Sequence, residues 1–275
     1  MSSGTDKASA STSAVDFQLV RNATIKLNYA GAHFLVDPML APRGAYSGFP
    51  GTARSELRNP LIDLPVPVNE VLKADAVILT HLHDDHWDAA AKKLVPSSMP
   101  IFTQDEKDAA AVRKDGFTNV RVLTEAGTEF NGTRLYKTGG QHGTDAMYAV
   151  PSLGQLLGEA MGVVFQRTGY ATTYVVGDTI WRPEVEQALT QFKPDVVILN
   201  TGYAQVIGFE GSIIMGKQDM LRAYKFAPQA KLVAIHMEAV NHATLSRTEL
   251  RDFINQNGMD KQRALVPNDG EKLRF

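Results

Sequence analysis

The feature that most constrains this chain is residues 80–88, THLHDDHWD, where three of its seven histidines stand among three aspartates. This stretch follows the apolar run ADAVILT (74–80), which predicts a strand buried on both faces. Side chains two positions apart on an extended segment point the same way, so His81 and His83 address one point in space. Asp85 and His86 follow where the chain turns toward a helix, and they address a second point nearby.

Imidazole and carboxylate groups in this pattern indicate a site for borderline divalent metals. The chain has no cysteine, which excludes disulfides, thiolate metal sites and a cysteine nucleophile. A catalytic rather than a purely structural metal site is therefore favoured. The alternative is a solvated loop that is merely rich in histidine and aspartate.

The pattern H-x-H-x-D-H after an apolar strand resembles the metallo-β-lactamase superfamily of metal-dependent hydrolases. Further elements of that family can be matched in order from about residue 17 to residue 270. Within the superfamily, the motifs VDP and GDT are most similar to the branch of the bacterial L-ascorbate-6-phosphate lactonase. The matched positions are His81, His83, Asp85, His86, His142 in TGGQHGT, Asp178 in VVGDT, His236 in LVAIHME and Asp37 in FLVDP.

The resemblance implies a dinuclear metal site. One divalent ion would be bound by His81, His83 and His142, a second by Asp85, His86 and His236, and Asp178 would bridge the two. Zinc is the expected metal, with manganese or iron as alternatives. A hydroxide shared by two such ions is a nucleophile at neutral pH. The function implied is hydrolysis of an ester, lactone or amide bond in a small molecule.

The fold implied is α+β, an αββα four-layer sandwich of two mixed sheets flanked by helices. The order of elements agrees, because strands come first and strands then alternate with helices. Helices are predicted at 183–192, 217–226 and 246–257, and RALV is predicted as the last strand. We expect residues 1–15, rich in Ser, Thr and Ala, to form a disordered tail and residues 16–275 to form one metallo-hydrolase domain. Residues 39–70 and 144–160 are expected to be loops that set specificity.

Three residues are candidates for a catalytic role beside the metals. Asp85 is placed to accept a proton from the attacking water. His242 is placed to reach the substrate or its leaving group, unless it is a surface-loop histidine. Tyr203 would donate a hydrogen bond to an oxyanion, or its ring would simply be packed in the core.

Each of three further polar residues has two interpretations. Asp37 either orients a ligating imidazole or caps the turn before Pro38. Arg182 could hold an anionic group of the substrate, although a solvated arginine at a helix start is the simpler reading, and Lys217 has the same two readings.

Composition limits the partners and the location. A net charge of −2 gives no reason to expect nucleic acid or an anionic membrane as a partner. No apolar run approaches the roughly 20 residues that span a bilayer. A small-molecule substrate is expected, with homo-oligomers suggested only by the resemblance. The expected location is cytoplasmic, or periplasmic if an export signal was removed.

Two other functions remain open at this point. A phosphodiesterase would use the same metal pair on a small phosphodiester. A non-catalytic metal-binding scaffold would keep the fold without turnover, but such proteins usually lose ligands, and all seven positions are intact here.

Overall fold

The structure is a computed structural model that describes residues 14–275. These residues form two seven-stranded sheets. The strands are β1 (Asp16–Arg21), β2 (Thr24–Tyr29), β3 (Ala32–Val36), β4 (Ala76–Ile78), β5 (Ile101–Thr103), β6 (Val120–Val122), β7 (Thr128–Phe130), β8 (Thr133–Thr138), β9 (Gly162–Gln166), β10 (Thr173–Val175), β11 (Val196–Asn200), β12 (Lys231–Ile235), β13 (Ala264–Leu265) and β14 (Lys272–Arg274).

Each sheet is mixed. The first sheet has the order β14-β1-β2-β3-β4-β5-β6, and its strands run parallel from β3 to β6. The second sheet has the order β13-β12-β11-β10-β9-β8-β7, and its strands run parallel from β10 to β13. The remaining neighbours are antiparallel, and some of them form hairpins, such as β2 with β3 and β7 with β8.

The main core lies between the two sheets. Strand side chains alternate between faces, so every second residue of an apolar strand enters this layer. Phe34, Ile78 and Phe102 of the first sheet meet Phe165 and Ile198 of the second in one buried cluster. Burial of apolar surface on this scale is the dominant stabilising term of such a domain.

The outer face of each sheet is covered by helices, which gives the four layers that the sequence predicts. Val77 and Ile101 face Ala91 and Val112 outside the first sheet. Val197 of the second sheet belongs to a separate outer cluster with residues of the three longest helices. The helices are α1 (Val68–Val71), α2 (Ala89–Leu94), α3 (Glu106–Lys114), α4 (Asp145–Tyr148), α5 (Pro151–Leu157), α6 (Pro183–Phe192), α7 (Lys217–Phe226) and α8 (Arg247–Gln256). Within residues 14–275, none of these helices has the length and hydrophobicity needed to cross a membrane.

Three expectations need adjustment. RALV is a strand but not the last one, because β14 follows it and pairs with β1 at Phe17 opposite Leu273. Residues 144–160 are not simply a loop, since they hold α4 and α5. Of the predicted tail, residues 1–13 lie outside the described residues, whereas Val15 is buried and exchanges backbone hydrogen bonds of 3.0 Å with Phe275.

Candidate metal centre

The histidine-rich motif follows the carboxyl end of β4 and is held rigidly. The backbone N–H groups of His86 and Trp87 both donate to the carbonyl of His83, which closes a tight turn. The Trp87 side chain is fully buried in the outer core of the first sheet and packs on Phe117, with 5.4 Å between ring centroids. This anchor fixes the backbone of the turn that carries the three histidines.

One group of donor atoms comes from this turn and from the loop after β8. His81 Nε2 lies 3.0 Å from His83 Nδ1, and His142 Nε2 lies 3.2 Å from the same nitrogen. His142 follows β8 in the second sheet, so the group spans both sheets. These three nitrogens form one of the sites at which donor atoms lie within 4.8 Å of one another.

A second group lies beside the first. His86 Nε2 is 3.1 Å from His236 Nε2, and His236 Nε2 is 3.3 Å from Asp85 Oδ2. His236 follows β12 in the left-handed backbone region, with φ of 60°, which turns its ring toward the motif. The sequence-predicted residues of both metal positions are thus brought together at one edge of the two sheets.

Asp178, which follows β10, lies between the two groups. Its Oδ2 is 3.1 Å from His86 Nε2, 3.5 Å from His142 Nε2 and 3.6 Å from His236 Nε2. Its Oδ1 accepts a hydrogen bond of 2.6 Å from Asn200 Nδ2 at the end of β11. A single carboxylate oxygen therefore faces ligand atoms of both groups, as a bridging ligand must.

Hydrogen bonds behind His81 and His86 determine which nitrogen carries the proton. His86 Nδ1 lies 2.8 Å from Asp37 Oδ2, and since a carboxylate only accepts, Nδ1 is the donor. The Thr80 hydroxyl donates to the same Asp37 oxygen and so accepts from His81 Nδ1 at 3.1 Å. Both Nε2 atoms point into the centre, and that of His81 has a free lone pair. Burial would lower the pKa of His86, but Asp178, Asp85 and Asp37 raise it well above its ordinary value, so its Nε2 carries a proton when no metal is bound. Asp37 therefore contacts the ring of His86, and its role in orienting a metal ligand stays a prediction.

Two backbone carbonyls orient the rings of His142 and His83 in the same way. His142 Nδ1 donates to the carbonyl of Ile213 at 2.8 Å, and His83 Nε2 donates to the carbonyl of Leu156 at 2.9 Å. These partners leave His142 Nε2 and His83 Nδ1 as acceptors. Hydrogen bonds of this kind fix the ring orientation of metal ligands in general.

Two asparagines also support the centre, and the sequence reasoning missed both. Asn200 holds Asp178, as described above. Asn22, in the turn between β1 and β2, donates from Nδ2 to the carbonyl of Asp85 at 3.0 Å, and its own carbonyl accepts from the N–H of His236. The one available signal for Asn200 is its position at the end of an apolar strand, DVVILN.

The electrostatics of the centre call for cations. The carboxylates of Asp37, Asp85 and Asp178 are at most 3% exposed, and buried negative charge must be compensated. Burial alone would raise the pKa of Asp85 and of Asp178, yet the neighbouring His86 and His236 hold both pKa values well below the ordinary range. Burial opposes a raised pKa at His236 as well, but Asp178 and Asp85 raise it to about 9.

The remaining histidines keep their lone pairs. Burial lowers the pKa of His142 to about 4, and burial together with His86 lowers the pKa of His81 well below its ordinary value. Within the described part of the chain, the buried Asp85 Oδ2 forms no well-aligned hydrogen bond, although His236 Nε2 lies 3.3 Å away. Ionised carboxylates and imidazoles that converge in this way, two of them holding protons that a metal ion would replace, fit divalent metal ions.

A cavity of about 290 Å³ opens onto these donor atoms. Most of its wall is apolar. The polar part of the wall is formed by metal-site residues and their neighbours. Lining residues are Phe49, Pro50, Thr52, Leu82, His83, Asp84, Asp85, His142, Leu153, Leu156, Leu157, Val206, Ile213 and His242.

Of the other two candidate catalytic residues, His242 lines the cavity and Tyr203 does not. His242 lines the cavity and is 5% exposed, so it is not a surface-loop histidine, and its ring meets Phe49 edge to face at 4.9 Å. Tyr203 does not line the cavity, because its ring packs in the outer core of the second sheet beside Gly216. Tyr203 is therefore placed as a packed core residue, and its position does not support a role as hydrogen-bond donor to an oxyanion.

The positively charged side chains of Arg182 and Lys217 each contact a residue near them in the structure. Arg182 Nη1 donates to Asp145 Oδ1 at 2.9 Å, at the start of α4. Lys217 lies over the ring of Phe253, 5.8 Å from its centroid. Neither residue lines the cavity, which supports the simpler of the two readings for each.

The fold and the convergent donor atoms define a metallo-β-lactamase-fold hydrolase. The chain belongs to the β-lactamase superfamily, whose domain model matches residues 33–237. The UPF0173 protein YddR of Bacillus subtilis (strain 168) is 44% identical over 257 residues, which cover 93% of this chain and 98% of that protein. A UPF0173 metal-dependent hydrolase of Korarchaeum cryptofilum is 23% identical over 210 residues, covering 76% of this chain and 86% of that protein. The narrower resemblance to the ascorbate-6-phosphate lactonase branch is not confirmed by these relatives.

Solved structures agree with this assignment. An isothiocyanate hydrolase from Delia radicum gut bacteria is 51% identical, with a TM-score of 0.91 over 94% of this chain and 99% of that one. A possible metal-dependent hydrolase from Veillonella parvula is 46% identical, with a TM-score of 0.92 over 95% of this chain and 99% of that one. The protein is a metal-dependent hydrolase of the metallo-β-lactamase fold.

Proposed function

We propose that the protein hydrolyses small, uncharged, apolar electrophiles, and that isothiocyanates are the favoured class. The observation that carries this proposal is the apolar cavity beside the donor atoms. Leu153, Leu157, Val206 and Ile213 line this cavity together with His83 and His142 of the candidate metal centre. An apolar group held there gains free energy by leaving water, while its reactive carbon faces the metal site.

The charge of the wall argues against anionic substrates. Among the described residues that line the cavity there are two aspartates and no lysine or arginine. A phosphorylated lactone or a phosphodiester would have to bring its negative charge toward Asp84 and Asp85 without a cationic side chain to bind it. The wall therefore favours a neutral substrate over the phosphodiester alternative.

The relative named as an isothiocyanate hydrolase supports the same class, because it is 51% identical to nearly the whole chain. An isothiocyanate, R–N=C=S, has a neutral electrophilic carbon and an apolar R group. Addition of water to that carbon and cleavage of its bond to nitrogen give R–NH₂ and O=C=S, so that both protons of the water end on nitrogen. Uncharged esters, lactones and amides, the class expected from the sequence, compete for the same cavity.

The chain's own residues have distinct roles in this proposal. His81, His83 and His142 would hold one ion, Asp85, His86 and His236 a second, and Asp178 both, with zinc as the proposed metal. Ions bound there supply an activated water and a Lewis acid for developing negative charge. Asp85 Oδ2, which is buried and forms no well-aligned hydrogen bond, is the proposed acceptor for the proton of the water.

His242 is the proposed hydrogen-bond partner of the substrate. Burial lowers the pKa of His242 to about 4, so the ring is neutral at pH 7. A neutral imidazole can donate a hydrogen bond to the sulfur or nitrogen of the substrate without bringing a charge into the apolar cavity. Its contact with Phe49 keeps the ring at the cavity wall.

The test compares four substrates on the zinc-loaded protein. These are 2-phenylethyl isothiocyanate, a neutral medium-chain lactone, a p-nitrophenyl ester and bis(p-nitrophenyl) phosphate. We expect release of 2-phenylethylamine at the highest kcat/KM, with chelator-treated protein and the His81→Ala variant as inactive controls. Fastest turnover of the phosphodiester, or zinc binding without turnover of any of the four, would overturn the proposal.

A further inference from the structure

We propose that Leu156 couples occupation of the apolar cavity to the affinity of the metal site. Its backbone carbonyl positions the metal-site residue His83, while its side chain forms part of the cavity wall. The inference rests on the proposed function only in that the cavity takes an apolar molecule. It adds a positioning role that a backbone carbonyl can play and that no side-chain motif reveals.

Leu156 belongs to a segment that we term the flap, residues 144–157, which contains α4 and α5. Glycines with positive φ stand at both ends, Gly143 at 138° and Gly158 at 62°. Such values are readily reached by glycine and are strained for other residues. The two glycines are suitable hinges for movement of the segment between them.

The flap packs on the rest of the molecule through a small cluster of its own. Met147 and Leu157 are buried there against Ala204, Ile213 and Ile214, apart from the three larger cores. The outer side of the flap is uncovered, since Leu156 is 68% exposed and Val150 is 40% exposed. Segments with so little buried apolar surface open at a low free-energy cost.

The flap nevertheless holds two metal-site residues. The carbonyl of Leu156 accepts from His83 Nε2 at 2.9 Å, which leaves His83 Nδ1 facing His81 and His142. The Tyr148 hydroxyl accepts from the N–H of His142 at 3.2 Å and donates to the carbonyl of Gly158 at 2.6 Å. An open flap would lose the partner of His83 and free its ring to turn away.

Coupling follows from these contacts. An apolar molecule in the cavity packs on Leu153, Leu156 and Leu157 and so favours the closed flap. The closed flap holds His83 Nδ1 in place for a metal ion, and loss of such a supporting bond typically lowers metal affinity about 10- to 100-fold. By thermodynamic linkage, a metal ion must tighten binding of the apolar molecule by the same factor.

The experiment measures the dissociation constant of Zn²⁺ by competition with a chromophoric chelator, with and without toluene. Toluene has no atom that binds a metal, so any effect must pass through the protein. Saturation-transfer NMR reports separately whether toluene is bound. We expect toluene to tighten Zn²⁺ binding about fivefold or more, in the usual range of coupling between sites.

Three variants separate the two parts of Leu156. Leu156→Ala keeps the carbonyl and should retain the Zn²⁺ affinity measured without toluene, but its toluene effect should be smaller, because one of the three flap contacts with toluene is lost. Gly158→Val strains the hinge and should weaken Zn²⁺ binding about tenfold without toluene. Ile207→Ala removes an apolar side chain that is 67% exposed and does not line the cavity, and it should behave as the unaltered protein.

The outcomes are distinct. Toluene that binds while the Zn²⁺ dissociation constant stays unchanged overturns the coupling and leaves the proposed function intact. A toluene effect of undiminished size in Leu156→Ala also overturns it. Toluene that fails to bind at all removes both the coupling and the apolar cavity on which the proposed function depends.

Discussion

His86 Nδ1 lies 2.8 Å from Asp37 Oδ2, and this contact joins the end of β3 to the turn after β4. Asp37 also accepts from the N–H of Thr80 through Oδ1 and from the Thr80 hydroxyl through Oδ2. It sits in the left-handed backbone region at φ of 47°, which is uncommon for a non-glycine residue. One carboxylate thus orients two imidazoles, His86 directly and His81 through Thr80.

Asp37→Ala should lower Zn²⁺ affinity about 10- to 100-fold, because two rings lose the bond that fixes them. Chelator competition measures the change. Asp75→Ala is the matched control, since Asp75 is exposed and accepts from the N–H of His33 at the opposite end of the same strands. Equal Zn²⁺ affinity in both variants would contradict an orienting role for Asp37.

Asn200→Ala should weaken metal binding by freeing Asp178, whose Oδ1 it holds at 2.6 Å. The expected loss is about tenfold, the lower end of the range for such supporting residues. Asn255→Ala, an exposed helix position, serves as the control. A variant that loses folding stability but binds Zn²⁺ normally would show that Asn200 supports only the fold.

The stability of the metal-free protein should depend on pH in both directions. His236, with its pKa raised from 6.5 to about 9, stabilises the fold below pH 6.5, and this contribution is lost as pH rises toward 9. His142, with its pKa lowered to about 4, resists protonation when folded, so stability also falls as pH drops from 6.5 toward 4.

Urea unfolding from pH 4.5 to 9.5 measures this profile, with chelator and with excess Zn²⁺. We expect a maximum near pH 6.5 without metal. Zn²⁺ should abolish the alkaline loss, because the ion replaces the proton on His236. Metal-free stability that rises between pH 6.5 and 9 would show that the buried carboxylates do not require a cation.

His242→Phe should lower kcat for the isothiocyanate about tenfold, the value of one lost hydrogen bond to the substrate. The phenyl ring keeps the packing on Phe49, and Zn²⁺ affinity should stay within about twofold. If Zn²⁺ affinity instead drops strongly, His242 is a ligand and the roles assigned to the cavity wall are wrong.

The sequence predicts much of the centre because strand ends impose it. Four of the predicted ligands follow apolar strands, namely His81, His83, Asp178 and His236, and parallel strands present their carboxyl ends at one edge of a sheet. His142 follows β8, a strand of mixed polarity, and is found through the resemblance. The four-layer architecture follows in the same way from strands that are apolar throughout and helices with one apolar face. The role of these residues as ligands stays a prediction until a metal ion is observed.

Other parts could not be predicted. The carbonyls of Leu156 and Ile213 orient two histidines, but any residue offers a carbonyl, so no motif marks them. Tyr203 has φ of 48° and its ring packs in the outer core of the second sheet, and a residue pattern reveals neither. His242 is buried because Asn241 binds residues far away in the chain, including the N–H of Phe49 at 3.0 Å.

Some short strands and helices could not be predicted from the sequence either. β14 has three residues, two of them charged, and it forms only because β1 offers a free edge. The helices of the flap are interrupted at Val150, where Pro151 begins the second one. Their sequence alone resembles a loop, and tertiary packing on Ile213 and Ile214 decides the outcome.

The most direct test of the account is anomalous diffraction from crystals grown with excess Zn²⁺, recorded on both sides of the zinc absorption edge. The account predicts zinc peaks bonded to His81 Nε2, His83 Nδ1 and His142 Nε2, and to Asp85, His86 and His236, with Asp178 between them. Crystals that contain Zn²⁺ elsewhere but show no peak within bonding distance of these atoms would contradict it.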